Sequence, residues 1–142
     1  MIRDFTDRRP AVSGLLIAAL LFLLPALFMI LDDFVLNGRL HAAAVFFYFS
    51  ITAQTVLFLK VERPILAAEP FVLGLVGLCA GEILYAVSES AAAPGAGPDI
   101  LSYFASSYLI AICGGNAAAA VGALILCFFL FIGRKTVEHL KK

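Results

Sequence analysis

Four long apolar stretches dominate the pattern of this chain, and short polar segments separate them. Each stretch is about 20 residues or longer, and none alternates apolar with polar residues as a barrel strand does. In lipid, only helices and closed barrels satisfy the hydrogen-bonding groups of the backbone. The pattern therefore predicts an all-α protein, an integral membrane four-helix bundle with spans over about 11–31, 40–59, 68–89 and 104–132.

The composition points to the same class of protein. Of the 142 residues, 63% are hydrophobic and 14% are charged, whereas about 25% of the residues of a soluble domain are charged. We expect a single transmembrane domain over residues 1–142, surrounded by the lipid bilayer. The formal net charge of zero gives no indication of a nucleic-acid partner. The first stretch is too long for the apolar part of a signal peptide, and Pro25 is expected to kink the helix that it forms.

The basic residues predict the orientation. With four spans, both termini and the segment between spans two and three share one side of the membrane. That side holds nine of the ten basic residues, namely Arg3, Arg8, Arg9, Lys60, Arg63, Arg134, Lys135, Lys141 and Lys142. The positive-inside rule then places both termini in the cytoplasm, in a plasma or inner membrane.

Glu82 is the most informative polar residue, because it lies inside the third apolar stretch. An ionised carboxylate at this depth is costly, so we expect it to be protonated, paired or in a water-filled cavity. One interpretation is a proton or cation site that includes Asn116 and Tyr85. The other is a structural hydrogen bond between helices, with the same two residues as candidate partners.

Further polar groups are expected in the half of the membrane opposite the termini. Asp32 and Asp33 end span one, where a carboxylate opposes the helix dipole, and Glu89 ends span three. These three acids form either an outer vestibule of a cation path or a set of solvated interface residues. Gln54 is interpreted as an interfacial polar residue near the other end of span two.

Small residues mark the faces on which helices are expected to pack. One stripe on span three contains Gly74, Gly77 and Gly81, and one on span four contains Gly114, Ala118 and Gly122. Span four has a second small-residue stripe on its opposite side. Two such faces suit a helix placed between its own bundle and a second subunit, so we expect a homo-oligomer or an assembly with other membrane subunits.

The sequence shows no catalytic or metal-binding constellation. It lacks a phosphate-binding glycine loop and an H-E-x-x-H motif, and its two histidines, His41 and His139, do not form a convincing metal or haem site. The three cysteines are interpreted as small apolar packing residues. We therefore expect no cofactor, no metal and no enzymatic activity.

Two functional hypotheses remain. The first is a small homo-oligomeric channel or carrier for protons or small cations, with Glu82 as the binding group. The second is a non-catalytic accessory or assembly subunit of a larger membrane complex, in which Glu82 is a buried structural group.

Overall fold

The computed structural model describes residues 2–95 and 99–141, with the side chains of all of these except 2, 3 and 6. The described residues form helices joined by short turns, without strands. A short helix, Ile2–Arg8, precedes four helices that are long and apolar enough to cross a membrane. We refer to these as span one, Pro10–Phe34; span two, Ala42–Lys60; span three, Pro64–Ala91; and span four, Ile100–Leu140. The predicted fold class, an all-helical four-helix bundle, is confirmed.

The ends of the helices follow from local sequence. Pro10 and Pro64 each occupy the first turn of their span, where the missing N–H group of proline is not needed for a helical bond. Between spans one and two the chain reverses through Asn37 and Gly38, which have φ values of 52° and 72°. Glycine adopts this left-handed conformation without steric cost. Part of the predicted loop between spans three and four, residues 96–98, lies outside the described residues.

Span one is irregular around Pro25. The segment Ala19–Leu23 forms a π-helical turn immediately before the helix that contains Pro25. Proline has no N–H group to donate to the carbonyl one turn earlier, so regular α-helical bonding is interrupted at this point. A second π-helical turn, Ala105–Ile110, lies in span four.

Span four is the centre of the bundle. It packs along both span two and span three, whereas span one touches it mainly through Ala19–Leu23. The buried positions of span four are mostly alanines, including Ala119, Ala120 and Ala123. Large apolar side chains lie mainly on the outside of the bundle. This is the arrangement expected in lipid, where helices associate through close packing of small residues.

Spans three and four extend furthest beyond their predicted bounds. Span three begins at Pro64 instead of about residue 68, and it continues through Pro70, which is fully buried. Span four continues to Leu140, although its predicted end is about residue 132. Local bonds stabilise this extension, since Arg134 pairs with Glu138 at 3.5 Å and the Thr136 hydroxyl donates to the Ile132 carbonyl at 3.0 Å.

The two ends of the bundle have different contacts. At the end that we call the terminal end, Arg63 donates to the Asp7 carbonyl at 3.0 Å and pairs with the Asp7 carboxylate at 3.5 Å. These bonds fasten the short N-terminal helix to the connection between spans two and three. The opposite end, with the connections after Phe34 and Ala91, we call the loop end. The cytoplasmic location of the terminal end remains a prediction. Two of the basic groups on which that prediction depends, Lys142 and the Arg3 side chain, lie outside the described part of the chain.

Candidate functional site

A cluster of three buried polar side chains lies in the interior of the bundle. The Ser50 hydroxyl donates to Asn116 Oδ1 at 2.5 Å. Gln54 Nε2 donates to Ser50 Oγ at 2.9 Å and to the Asn116 carbonyl at 3.0 Å. Ser50 lies near the middle of span two, so this polar cluster of Ser50, Gln54 and Asn116 lies deep in the bundle.

The irregular part of span one supplies a further partner of this polar cluster. Asn116 Nδ2 donates to the Leu21 carbonyl at 2.7 Å and to the Ile112 carbonyl at 3.1 Å. In a regular helix the Leu21 carbonyl would accept from residue 25, which here is a proline without an N–H group. Asn116 therefore satisfies a carbonyl that Pro25 leaves without its usual partner, and it joins spans one, two and four.

Gln54 was interpreted from the sequence as an interfacial residue, and this was wrong. Its side chain is 0% exposed, because it lies between spans two and four where Ser50 and the Asn116 backbone hold its amide. Gln54 Oε1 is buried and has no hydrogen-bond partner among the described residues. The polar cluster thus keeps an unused hydrogen-bond acceptor in the interior of the protein.

A cleft leads to the polar cluster from the outside of the bundle. It lies between spans one, two and four, and its cavity volume is about 40 Å³. Ser50 and Asn116 line it together with apolar residues, namely Leu21, Pro25, Met29, Ala43, Phe46, Phe47, Ala111, Ile112 and Gly115. Two of these, Met29 and Ala43, also line a wider surface pocket at the loop end. The cleft therefore adjoins the loop-end surface.

That surface pocket contains two of the three residues predicted as an outer vestibule. Asp32 and Asp33 line it beside His41, whereas Glu89 is not among its lining residues. Asp32 and Asp33 thus share one pocket, and Glu89 is not part of its lining.

Asp32 has a structural role in this pocket. Its side chain is only 4% exposed, and its two oxygens accept from the backbone N–H groups of Leu40 at 2.9 Å and Ala42 at 3.1 Å. Because Ala42 is the first residue of span two, the carboxylate lies at a helix N-terminus, where the helix dipole favours it. Backbone N–H groups therefore hold this carboxylate.

Asp33 makes a different contact. Asp33 Oδ2 accepts a hydrogen bond from the Tyr108 hydroxyl at 2.7 Å. The Tyr108 side chain is buried, and it lies in the π-helical turn of span four. This bond connects the end of span one to span four at the loop end.

Glu82 and Asn116 face different surroundings. Glu82 is exposed on the outside of the bundle, and it makes no hydrogen bond or ion pair with another described residue. The Tyr85 hydroxyl donates to Glu89 at 2.7 Å, so Tyr85 does not bond to Glu82. The grouping of Glu82 with Asn116 and Tyr85 is not formed, because Asn116 faces spans one and two while span three packs on another side of span four.

Glu82 nevertheless lies at membrane depth. It is nine residues before the end of span three, about 13 Å along the helix axis, and Pro64 lies about 27 Å away in the other direction. With a hydrocarbon layer of about 30 Å centred on this span, Glu82 lies inside the layer.

The predicted packing glycines of span three lie against span four. A Cβ atom on Gly74 would lie 2.8 Å from the Cys113 carbonyl oxygen, and one on Gly81 would lie 2.8 Å from Ile110 Cγ1. A Cβ on Gly77 would collide with Cys113 Sγ. The G-x-x-x-G pair and Gly74 thus allow the two helices to approach at distances that larger residues would prevent.

The predicted stripe on span four has mixed surroundings. A Cβ atom on Gly114 would make an ordinary contact with Leu78, and one on Gly122 would do so with Ile51. Ala118 is exposed. Within this stripe, then, Gly114 and Gly122 contact neighbouring helices of the same chain, and Ala118 lies on the outside.

Sequence reasoning missed two groupings. The spacing of Ser50 and Gln54, four residues apart on one helix face, was a usable signal for the polar cluster. Glu69 was also overlooked: it is half-buried near the terminal end of span three, where a Cβ on Gly14 would lie 3.0 Å from its Oε2. The sequence signal for Glu69 was its position directly before a proline, Pro70, near the start of an apolar stretch.

Comparison with protein-family models, with curated proteins and with solved structures finds no match.

Proposed function

We propose that this protein is a homo-oligomeric channel or carrier for protons or small cations, with its path at the contact between copies. The observation that carries the proposal is the position of Glu82. Its carboxyl group is exposed at membrane depth, and it has no hydrogen bond or ion pair with the described residues of its own chain.

Without a neighbouring protein, lipid would surround the exposed side chain of Glu82. Placing a charged acid at the centre of a lipid-exposed helix costs about 3 kcal/mol or more. A second copy in contact with this face removes the lipid and brings another Glu82 close by. Neighbouring carboxyl groups disfavour simultaneous ionisation, so they share a proton or bind a cation between them.

The residues beside Glu82 suit such a contact. Cys79 and Ala86 are small, exposed and one helical turn away on either side of Glu82. Small side chains let two transmembrane helices approach closely. We refer to this surface of Cys79, Glu82 and Ala86 as the Glu82 face.

The interior of a single bundle is less suited to ion passage. Its central helix contributes closely packed alanines, and the polar cluster at mid-depth contains only uncharged side chains. A desolvated cation there would have no compensating charge. A path along the Glu82 face, between copies, avoids this cost.

The direct test is ion flux into phosphatidylcholine liposomes that contain the purified protein. The variant Glu82→Gln keeps the side-chain shape but removes the titratable group. We expect proton or monovalent-cation flux in the wild type and its loss in Glu82→Gln. The control is Glu138→Gln, which removes an exposed acid of the terminal end and is expected to retain flux. Absence of wild-type flux would overturn the proposal.

Cross-linking tests the arrangement of copies independently of flux. Cys79 is exposed on the Glu82 face, whereas Cys113 is buried. In a Cys127→Ser background, a short thiol-reactive cross-linker is expected to join copies through Cys79 in membranes. The added substitution Cys79→Ser should abolish the product. A chain that stays uncrosslinked in the presence of Cys79 would contradict a contact at this face.

A second candidate function follows from the charges of the four spans. The basic residues of the spans lie at the terminal end, away from the depth of Glu82. A membrane protein of a different kind, with a basic residue in its span, would neutralise Glu82 in a mixed complex. The chain would then be an accessory or assembly subunit, and the purified protein would show neither flux nor Cys79 cross-linking between copies.

A further inference from the structure

We propose that the cleft lined by Ser50 and Asn116 of the polar cluster binds a neutral, apolar molecule that carries a hydroxyl group. The site is formed by spans one, two and four and does not include Glu82. The inference is therefore independent of the proposed transport function.

The walls of the cleft indicate that most of the ligand is apolar. They are apolar and partly aromatic, with Pro25, Met29, Phe46 and Phe47 among them. Ligand pockets generally combine such apolar walls with a few well-placed polar groups. Small residues provide the space: a Cβ on Gly115 would meet no atom within 4 Å. The chemical character of this lining suits an apolar chain.

The polar end of the ligand follows from a count of donors and acceptors. Both N–H groups of Asn116 Nδ2 already donate to carbonyls, and the Ser50 hydroxyl already donates to Asn116 Oδ1. Asn116 Oδ1 and Ser50 Oγ each accept one bond, which leaves each oxygen a further lone pair. The polar groups that line the cleft can thus accept a hydrogen bond but have none left to donate.

The charge of the ligand follows from the same residues. Every side chain that lines the cleft is uncharged. An ammonium group would lose its hydration without gaining an opposite charge, which is costly in an apolar site. Of the carboxylates in the adjoining surface pocket, Asp32 already accepts two backbone N–H bonds. A hydroxyl group meets the requirement for a donor without this cost.

The test uses a long-chain alcohol with a photoreactive diazirine close to its hydroxyl group, together with its methyl ether. The full-length protein in phosphatidylcholine vesicles is irradiated with each probe, and the labelled residues are mapped by mass spectrometry. We expect the alcohol to label residues that line the cleft, and to label them about 3- to 10-fold more than the ether. This ratio corresponds to the net contribution of one hydrogen bond.

Variants that fill the cleft provide the decisive comparison. Gly115→Leu and Ala43→Leu place bulk in the cleft from two different spans, so a folding defect in one leaves the other available. Both are expected to remove the preference for the alcohol. Gly133→Leu, at a glycine whose Cβ would also meet no atom within 4 Å, is expected to keep it.

Protection of the buried Cys113 from thiol reagents reports that each variant is folded. Equal labelling by alcohol and ether, or labelling spread evenly over the four spans, would overturn the proposal. Persistence of the alcohol preference in both folded cleft-filling variants would do the same.

Discussion

Replacement of Asn116 by alanine tests how span one is held in the bundle. The substitution removes the bonds from Ser50 to Asn116 and from Asn116 to the Leu21 carbonyl. Hydrogen bonds between transmembrane helices contribute about 0.6 kcal/mol each on average, so these two account for about 1 kcal/mol. The Leu21 carbonyl then loses this donor in a buried position, which adds about 1–3 kcal/mol. We expect Asn116→Ala to lower the free energy of unfolding by about 2–4 kcal/mol.

The role of Pro25 makes this prediction specific. In a Pro25→Ala background, residue 25 supplies an N–H group one turn after Leu21, so the carbonyl no longer depends on Asn116. Asn116→Ala is then expected to cost only about 1 kcal/mol. The two substitutions are therefore coupled, which a double-mutant cycle measures directly.

A cysteine provides the assay, since the chain has no tryptophan. Cys113 is buried, and with Cys79→Ser and Cys127→Ser it becomes the only thiol. Pulsed thiol labelling during a denaturant titration then gives the unfolded fraction for each of the four variants. Additive effects of Pro25→Ala and Asn116→Ala would refute the proposed exchange of partners at the Leu21 carbonyl, even if each variant alone were destabilised.

Three further predictions concern helix contacts and use the same assay. Gly74→Ala is expected to lower the free energy of unfolding by about 1–3 kcal/mol, because its Cβ would press on backbone atoms of span four. Gly115→Ala is the matched control: a Cβ there meets no atom within 4 Å, so this substitution should change the free energy of unfolding by less than about 0.5 kcal/mol. Asp32→Ala should lower the free energy of unfolding by about 2–4 kcal/mol, since two backbone N–H groups lose a charged acceptor. A variant as stable as the wild type would contradict the role of Asp32 as a helix cap. Tyr108→Phe should cost about 1 kcal/mol through loss of the bond to Asp33, and that cost should disappear in an Asp33→Ala background.

The fold was predictable because lipid leaves few alternatives. Long apolar stretches specify helices, and their number specifies a four-helix bundle. The ends of the spans were less predictable, since polar segments also continue helices. The helical extension around Arg134 and Glu138 is one case, because hydropathy does not register a pair of opposite charges one turn apart.

The candidate site was only partly predictable, because depth along a helix is easier to infer than direction around it. Glu82 and Asn116 were predicted to lie together, yet they face different surroundings. Which helix packs on which face depends on contacts far apart in sequence, such as that between Asn116 and Leu21. Gln54 shows the same limitation, since its distance from the end of span two did not reveal that its side chain points inward.

Flux through liposomes that contain wild-type protein or Glu82→Gln tests the role of Glu82 most directly. If copies of this chain place Glu82 along a shared path, wild-type liposomes will conduct protons or small cations. Glu82→Gln liposomes will not, while Cys79 cross-linking shows the same oligomer in both. Equal flux in wild type and Glu82→Gln, or no flux in a cross-linked wild-type oligomer, would contradict the role assigned to Glu82.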